Sequence, residues 1–323
     1  MPTWGEILIE FKTPPNNPDL IRRKYLSALA NHTGRDTILY LTKWTDPAGV
    51  NPDVISITEE DIQGFMEVVH GLRNTSLDLI IHSPGGSPAA TEAIVKYLRK
   101  KFTDIRIIVP QGAMSAGTML ACAGNRIVMG KHSFLGPIDP QFILPHTQGM
   151  HRMVPAQAIL DQFDLAKKEC KDSQNLGPWL PILTQYGPGL LIECKNAIAL
   201  SKVLVQDWLK KYMLHGTPRA SYKAALIAKH LAAHQAHKSH SRHLDREDCR
   251  GLGLTIDNLE ADETLQDLVL SVFHASTITC NVSPVAKIIE NHKGKAFIKL
   301  SGRMMPLLPQ QPPQPPQIPQ ALS

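Results

Sequence analysis

The sequence predicts an α/β fold: a layered parallel sheet assembled from βαβ units, extended by a helical C-terminal part and followed by a Pro/Gln-rich tail. Three observations carry that prediction. Two apolar β-type runs, Leu77-Asp78-Leu79-Ile80-Ile81 and Ile105-Arg106-Ile107-Ile108-Val109, each lead through a short corner into a helical pattern. Strand and helix patterns alternate from 37 to 129, as right-handed crossovers require when they cover both faces of a parallel sheet. Beyond residue 130 the alternation gives way to long helical patterns, and from about Met304 to proline, glutamine and leucine.

In order, residues 18–31 carry apolar side chains at helical spacing and stop near Gly34, and 37–42 reads as a strand. After a loop rich in Pro, Asn and Asp, Thr58 reads as the N-cap of a helix over 59–72, with acidic residues in its first turn. Strand 77–82, helix 88–101, strand 105–109, helix 115–123 and strand 126–129 follow. Residues 133–140 are turn-rich. Helices are expected over 155–171, 190–213 and 218–237, and a capped helix running into a short strand over 244–254. Further helices are expected over 262–276 and 283–291, and a last strand over 295–300. A single domain over 1–303 results, with a core at 35–141 and a helical extension at 150–300. Residues 304–323 cannot form a packed core and are expected to be a disordered, polyproline-II-like tail.

Hydrophobic content of 43% and charged content of 20% are those of an ordinary soluble globular chain. The net charge of +5 is scattered in short pairs such as Arg22-Arg23 and Lys210-Lys211, not the clustered basic face that nucleic acid needs. Cys122, Cys170, Cys194, Cys249 and Cys280 are odd in number and contain no C-x-x-C, which points to reduced thiols in a cytoplasmic compartment. The opening Met1-Pro2-Thr3-Trp4 lacks the basic and apolar regions of a signal peptide, and no apolar run reaches the ~20 residues of a membrane span. No intrinsic membrane anchor is expected, leaving only peripheral association through partners. No G-x-x-x-x-G-K-[ST] phosphate loop is present, and no cofactor is expected.

The two corners carry the chemistry. The first is Ser83-Pro84-Gly85-Gly86, where the glycines supply positive φ and exposed backbone N–H groups. The second is Gly112-Ala113-Met114-Ser115-Ala116-Gly117, a small-x-Ser-x-Gly elbow whose small neighbours let the backbone turn sharply and present the hydroxyl. Neighbouring parallel strands lie ~4.8 Å apart, so the N–H groups of Gly86 and Ala116 can reach a shared point. Two such donors form an oxyanion hole, each worth ~3 kcal/mol of barrier.

Ser83-Pro84-Gly85-Gly86, the elbow stretch 113–124, and Ser133-Phe134-Leu135-Gly136-Pro137-Ile138-Asp139-Pro140-Gln141 together resemble the serine dehydrogenase proteinase family. These are soluble relatives of signal peptide peptidase A and, more distantly, of the Clp protease subunit, within the crotonase-like (ClpP/crotonase) fold. The resemblance runs from the N-terminus to about Lys299 and is specific in the 77–141 block. It implies that Ser115 is the nucleophile, that Gly85, Gly86 and Ala116 frame the oxyanion hole, and that the chain assembles as a homo-oligomer.

The base is open. A Clp-type histidine belongs on the segment after the elbow helix, where His132 lies a little early. The signal-peptide-peptidase group instead resembles a Ser–Lys dyad, with the lysine on a later helix; Lys167, Lys168 and Lys171 fall in that stretch. Lys167 and Lys171 share one helix face, and Lys167 leads. A lysine base requires desolvation. His230, His234 and His237 fit one face of a helix within the His-rich segment 230–243, a spacing that zinc can use. No cysteine lies within ligand spacing and no Glu follows the first His, so no metal site is assigned. Lys238 or His240, folding back towards Ser115, is a further candidate base. Asp139, between prolines in a turn, reads as a structural aspartate or a contact between subunits.

The function expected is a serine endopeptidase acting on peptide or protein substrates, of the signal peptide peptidase A-like, Ser–Lys type. The alternatives are an acyl-CoA enzyme of crotonase type, in which the paired amides stabilise an enolate, and a non-catalytic scaffold of the same fold.

Overall fold

A computed structural model describes residues 3–14, 17–145 and 151–302 of the chain. Its strands are β1 (Asp36–Thr42), β2 (Ser76–His82), β3 (Asp104–Val109), β4 (Gly112–Ala113), β5 (Arg126–Met129), β6 (Phe134–Leu135), β7 (Gln141–Pro145), β8 (His151–Pro155), β9 (Leu244–Asp245), β10 (Ile256–Asn258), β11 (Val285–Asn291) and β12 (Ala296–Leu300). Seven of them form the main sheet, in the order β10-β5-β3-β2-β1-β11-β12. The run from β10 to β1 is parallel, as expected for βαβ units, and β11 and β12 add an antiparallel edge.

The period-2 alternation along the strands separates two cores. Ile38, Tyr40, Leu77, Leu79 and Ile81 pack on one face, beneath the helices Asp61–Val69, Pro88–Lys101, Ala116–Cys122, Leu190–Lys211 and Ala220–Leu231. Leu39, Leu41, Ile80 and Ile108 pack on the other, against the helices Trp4–Lys12, Pro18–Thr33 and Glu263–Val282. Asp78 is buried at the start of β2 and neutralised by Arg35 and Arg106, both at 2.7 Å, which ties β2 to its neighbours.

Two sequence expectations are corrected. Residues 283–291, read as a helix, hold strand β11 at Val285–Asn291, because Val285, Ala286, Ile288 and Ile289 are buried on both sides of the sheet. Periodicity alone cannot separate such a run from a buried helical segment. Thr58 is not a side-chain cap: its hydroxyl has no partner, and its backbone N–H instead donates to the Asp61 carboxylate. The antiparallel hairpin β7–β8 and a third, smaller apolar cluster around Ile159, Leu190 and Cys194 were not foreseen. The Pro/Gln-rich tail lies outside the described residues.

A second, three-stranded sheet, β4-β6-β9, positions the site. It joins the main sheet through a bridge between Ser83 and Ala113, so the Gly-Gly corner and the serine elbow are stitched together by backbone hydrogen bonds. Ser83 N–H donates to the Gly112 carbonyl at 3.2 Å, and Met114 N–H to the Ser83 carbonyl at 2.9 Å.

Candidate active site

Ser115 immediately precedes the helix Ala116–Cys122 and holds φ +50° and ψ −118°. That region is costly for a residue with a side chain, of order 1–3 kcal/mol, and is occupied only where the surroundings enforce it. The surroundings here are small, buried groups. Ala113, Ala116 and Gly117 are all buried, whereas Ser115 itself is partly exposed and lines an open cleft of about 390 Å³. The hydroxyl is therefore presented to solvent and not packed away.

The Gly-Gly turn abuts the elbow. Gly85 has φ +100°, and a methyl group there would come within 2.7 Å of the Met114 carbonyl and of Ser115 Cβ, and 2.8 Å of Ala116 N. Its own N–H donates to Ser83 Oγ at 3.1 Å, so Gly85 supplies closeness and not a donor. Gly86, at φ +149°, is pressed against the backbone of Ile57. Ile57 N–H donates to the Gly85 carbonyl at 2.7 Å, and its carbonyl accepts from Ser87 N–H at 2.8 Å. The N–H groups of Gly86 and Ala116 have no acceptor among the described residues. Two unsatisfied amides thus flank one serine, the arrangement that stabilises a developing oxyanion.

The same cleft is also lined by His240 and His243. His243 stacks on Phe134, with ring centroids 3.7 Å apart. His240 Nδ1 bonds to Asp139 Oδ1 at 2.7 Å, and the other carboxylate oxygen of Asp139 takes His234 Nδ1 at 2.8 Å. Asp139 is buried, held in its Pro-flanked turn by Ile138 N–H donating to the Leu231 carbonyl and by Gly136 N–H donating to Thr118 Oγ1. Thr118 sits on the elbow helix and donates in turn to the Ala113 carbonyl. A carboxylate on Nδ1 fixes the tautomer in which Nε2 bears the lone pair. Asp139, read from the sequence as structural, is thereby the group that orients an imidazole at the cleft. No local signal in the sequence pairs it with an imidazole, because His240 lies 101 residues further along the chain.

The other candidate bases lie elsewhere. Lys167, on the helix Ala156–Glu169, is 65% exposed and sits 3.7 Å from Asp164. Lys168 and Lys171 are also exposed, and none of the three lines the cleft. A helix forms there over Ala156–Glu169, but it presents Lys167 and Lys168 to water and ends before Lys171, which lies in an exposed turn. Lys238 is an exposed residue at φ +65° ending the short helix His234–His237. His132 Nε2 is engaged by the Pro110 carbonyl at 2.8 Å. Within the His-rich segment, His237 is buried with its Nε2 on the His230 carbonyl, and burial lowers its pKa. Among the described residues no group of His, Cys, Asp and Glu is arranged to hold a metal ion, and no helix is long and apolar enough to cross a membrane.

A parallel sheet bonded to a small second sheet, with a strained serine set against a Gly-Gly turn, defines a ClpP-like serine proteinase. The chain belongs to the ClpP-like SDH-type serine proteinase family, whose model matches residues 57–274. It is 31% identical over 204 residues to the uncharacterized protein MJ0137 of Methanocaldococcus jannaschii, covering 60% of this chain and 68% of that one. A second protein of that organism, the uncharacterized MJ1495, is 39% identical over 111 residues; the match covers 33% of this chain and 34% of the relative. Among solved structures it is similar to a serine-to-alanine mutant of the 1510-N membrane-bound stomatin-specific protease. That likeness has a TM-score of 0.37 and 16% identity, over 62% of this chain and 74% of that one.

Proposed function

We propose that the protein is a serine endopeptidase that uses Ser115 as nucleophile, His240 as general base oriented by Asp139, and the N–H groups of Gly86 and Ala116 as oxyanion hole. An extended peptide lies in the cleft with its scissile carbonyl carbon over Ser115. Nε2 of His240 takes the hydroxyl proton as Oγ attacks, and the carbonyl oxygen becomes an oxyanion between the two amides. His240 then returns the proton to the departing amine, leaving an acyl-Ser115. Water, deprotonated by the same imidazole, releases the acid and restores the serine. Asp139 holds Nδ1–H throughout and stabilises the imidazolium.

One observation carries this reading: the strained Ser115 shares its cleft with an imidazole whose other nitrogen rests 2.7 Å from a buried carboxylate. It replaces the expected lysine dyad, because a lysine base needs burial and Lys167 has none. The test is labelling with a serine-directed fluorophosphonate, followed by mass spectrometry. Labelling at Ser115 that disappears in Ser115→Ala and slows sharply in His240→Gln is the expected result. A folded wild-type protein that stays unlabelled from neutral to alkaline pH overturns the reading and leaves a scaffold or an acyl-CoA-binding role.

A further inference from the structure

The segment that clamps the Gly85–Gly86 turn is itself pinned from below by a buried ion pair. Lys287, on β11, and Asp61, at the start of the helix Asp61–Val69, both have fully buried side chains. Lys287 Nζ lies 2.7 and 2.8 Å from the two carboxylate oxygens of Asp61 and gives a further hydrogen bond, 2.7 Å, to the Ser56 carbonyl. Asp61 in turn accepts from Thr58 N–H at 3.1 Å and from the Tyr40 hydroxyl at 2.7 Å. The pair thus holds the residue before Ile57 by its carbonyl and the residue after it by its N–H. Ile57, between them, spends its own N–H and carbonyl on Gly85 and Ser87.

This is an expensive way to hold a core together. Desolvation is the leading influence on Lys287 and pushes its pKa below the ordinary lysine value, against the pull of Asp61. A buried pair of this kind commonly adds no net stability over apolar residues of the same size. What apolar residues cannot do is grip two backbone polar groups on either side of one clamp residue. Ser56 also lines the cleft, so the pinned segment is continuous with the cleft wall.

We infer that Lys287 and Asp61 are positioning residues for the oxyanion hole, fixing Ser56 and Thr58 so that Ile57 aims the Gly86 N–H at the reacting carbonyl. The inference rests on the peptidase reading above. Neither residue touches substrate. Both act through Ile57, and their effect falls on the transition state, where the oxyanion forms, and not on peptide binding.

The double variant Lys287→Met/Asp61→Asn separates positioning from folding. It removes both charges together, and the asparagine oxygen still accepts from Tyr40 and Thr58; the lost contacts are the ion pair itself and the anchor on the Ser56 carbonyl. The expected result is cooperative thermal unfolding close to wild type, a fluorophosphonate labelling rate at Ser115 at least tenfold lower, and a peptide KM unchanged while kcat falls. A folded double variant that labels at the wild-type rate overturns the inference. If the double variant does not unfold cooperatively, Lys287→Gln, which keeps a neutral donor on a shorter stem, is judged by the same rate criterion. Failure of the wild-type protein to label sinks the peptidase reading instead, so the two failures are distinguishable.

Discussion

The two walls of the cleft are built by different means. On one side, the Gly85–Gly86 turn and the Ser115 elbow are backbone devices, bonded to each other through Ser83 and Ala113 and surrounded by buried small residues. On the other side, Asp139 and His240 are side chains that meet across 101 residues of chain, one from a turn after the elbow helix, the other from a loop within the helical extension. The first wall is set by local conformation and needs glycine and alanine. The second is set by tertiary contact and needs particular functional groups. Substitutions on the two walls should therefore fail differently: the backbone wall through geometry, the side-chain wall through proton transfer.

The largest effect is expected on the side-chain wall. Asp139→Asn keeps the shape of the turn but lets the wrong tautomer of His240 form, and kcat/KM for a peptide substrate should fall by roughly 10⁴-fold, with His240→Gln comparable. Lys167→Ala, on an exposed helix face, and Lys171→Ala, in the exposed turn just past that helix, should change it by no more than about twofold, as surface substitutions usually do. Steady-state kinetics on the four variants decides the base. Loss of activity in either lysine variant, with His240→Gln still active, would restore the lysine dyad.

Next comes the backbone wall. In Gly86→Ala the new methyl group meets the Ile57 backbone, at a φ that L residues rarely adopt. The turn must shift, and its N–H moves off the oxyanion. The expected loss is about 10²–10³-fold in kcat, the magnitude of removing one oxyanion donor, with little change in KM. Equal kcat in Gly86→Ala and wild type would remove the amide from the mechanism.

The same contrast decides what the sequence disclosed. The two corners that hold Gly85-Gly86 and Ser115-Ala116 were legible because their signal is local: an apolar strand, a corner of small residues, then a helix. The parallel core was legible for the same reason. β11 was not, since Val285-Ala286-Lys287-Ile288-Ile289 has no period that separates a doubly buried strand from a helix. The partnership of Asp139 and His240 was hidden because nothing near either residue in sequence encodes the other. Histidine spacing within 230–243 pointed instead to one helical face, whereas the chain breaks that helix at Leu231 and resumes at His234, which brings His234 and His240 to opposite oxygens of one carboxylate.

The smallest effect concerns the stability of the backbone wall in acid. His82 closes β2, directly before the Ser83 that braces Gly85. It is 1% exposed, with its ring against Trp44 at 5.3 Å and Phe273 at 5.0 Å. Burial drives its pKa down to about 3, only weakly opposed by the Gly112 carbonyl. In the unfolded chain the same imidazole titrates near ~6.5. Between these values the unfolded state binds the proton and the folded state does not. The stability that neutral His82 secures is therefore complete above about pH 6.5 and is lost as pH falls towards 3, by up to ~1.4 kcal/mol per pH unit. His237, His274 and His292 are shifted in the same direction by burial and add to the acid loss, so the wild-type curve alone does not isolate one residue. His82→Phe does, because it retains an aromatic ring between Trp44 and Phe273 and cannot titrate. Urea unfolding of both proteins at a series of pH values should show the wild type losing ground to the variant steadily as the solution is acidified below about pH 6.5. Parallel curves would mean that His82 takes up its proton as readily in the fold as in the unfolded chain, and that the backbone wall tolerates a charge beneath it.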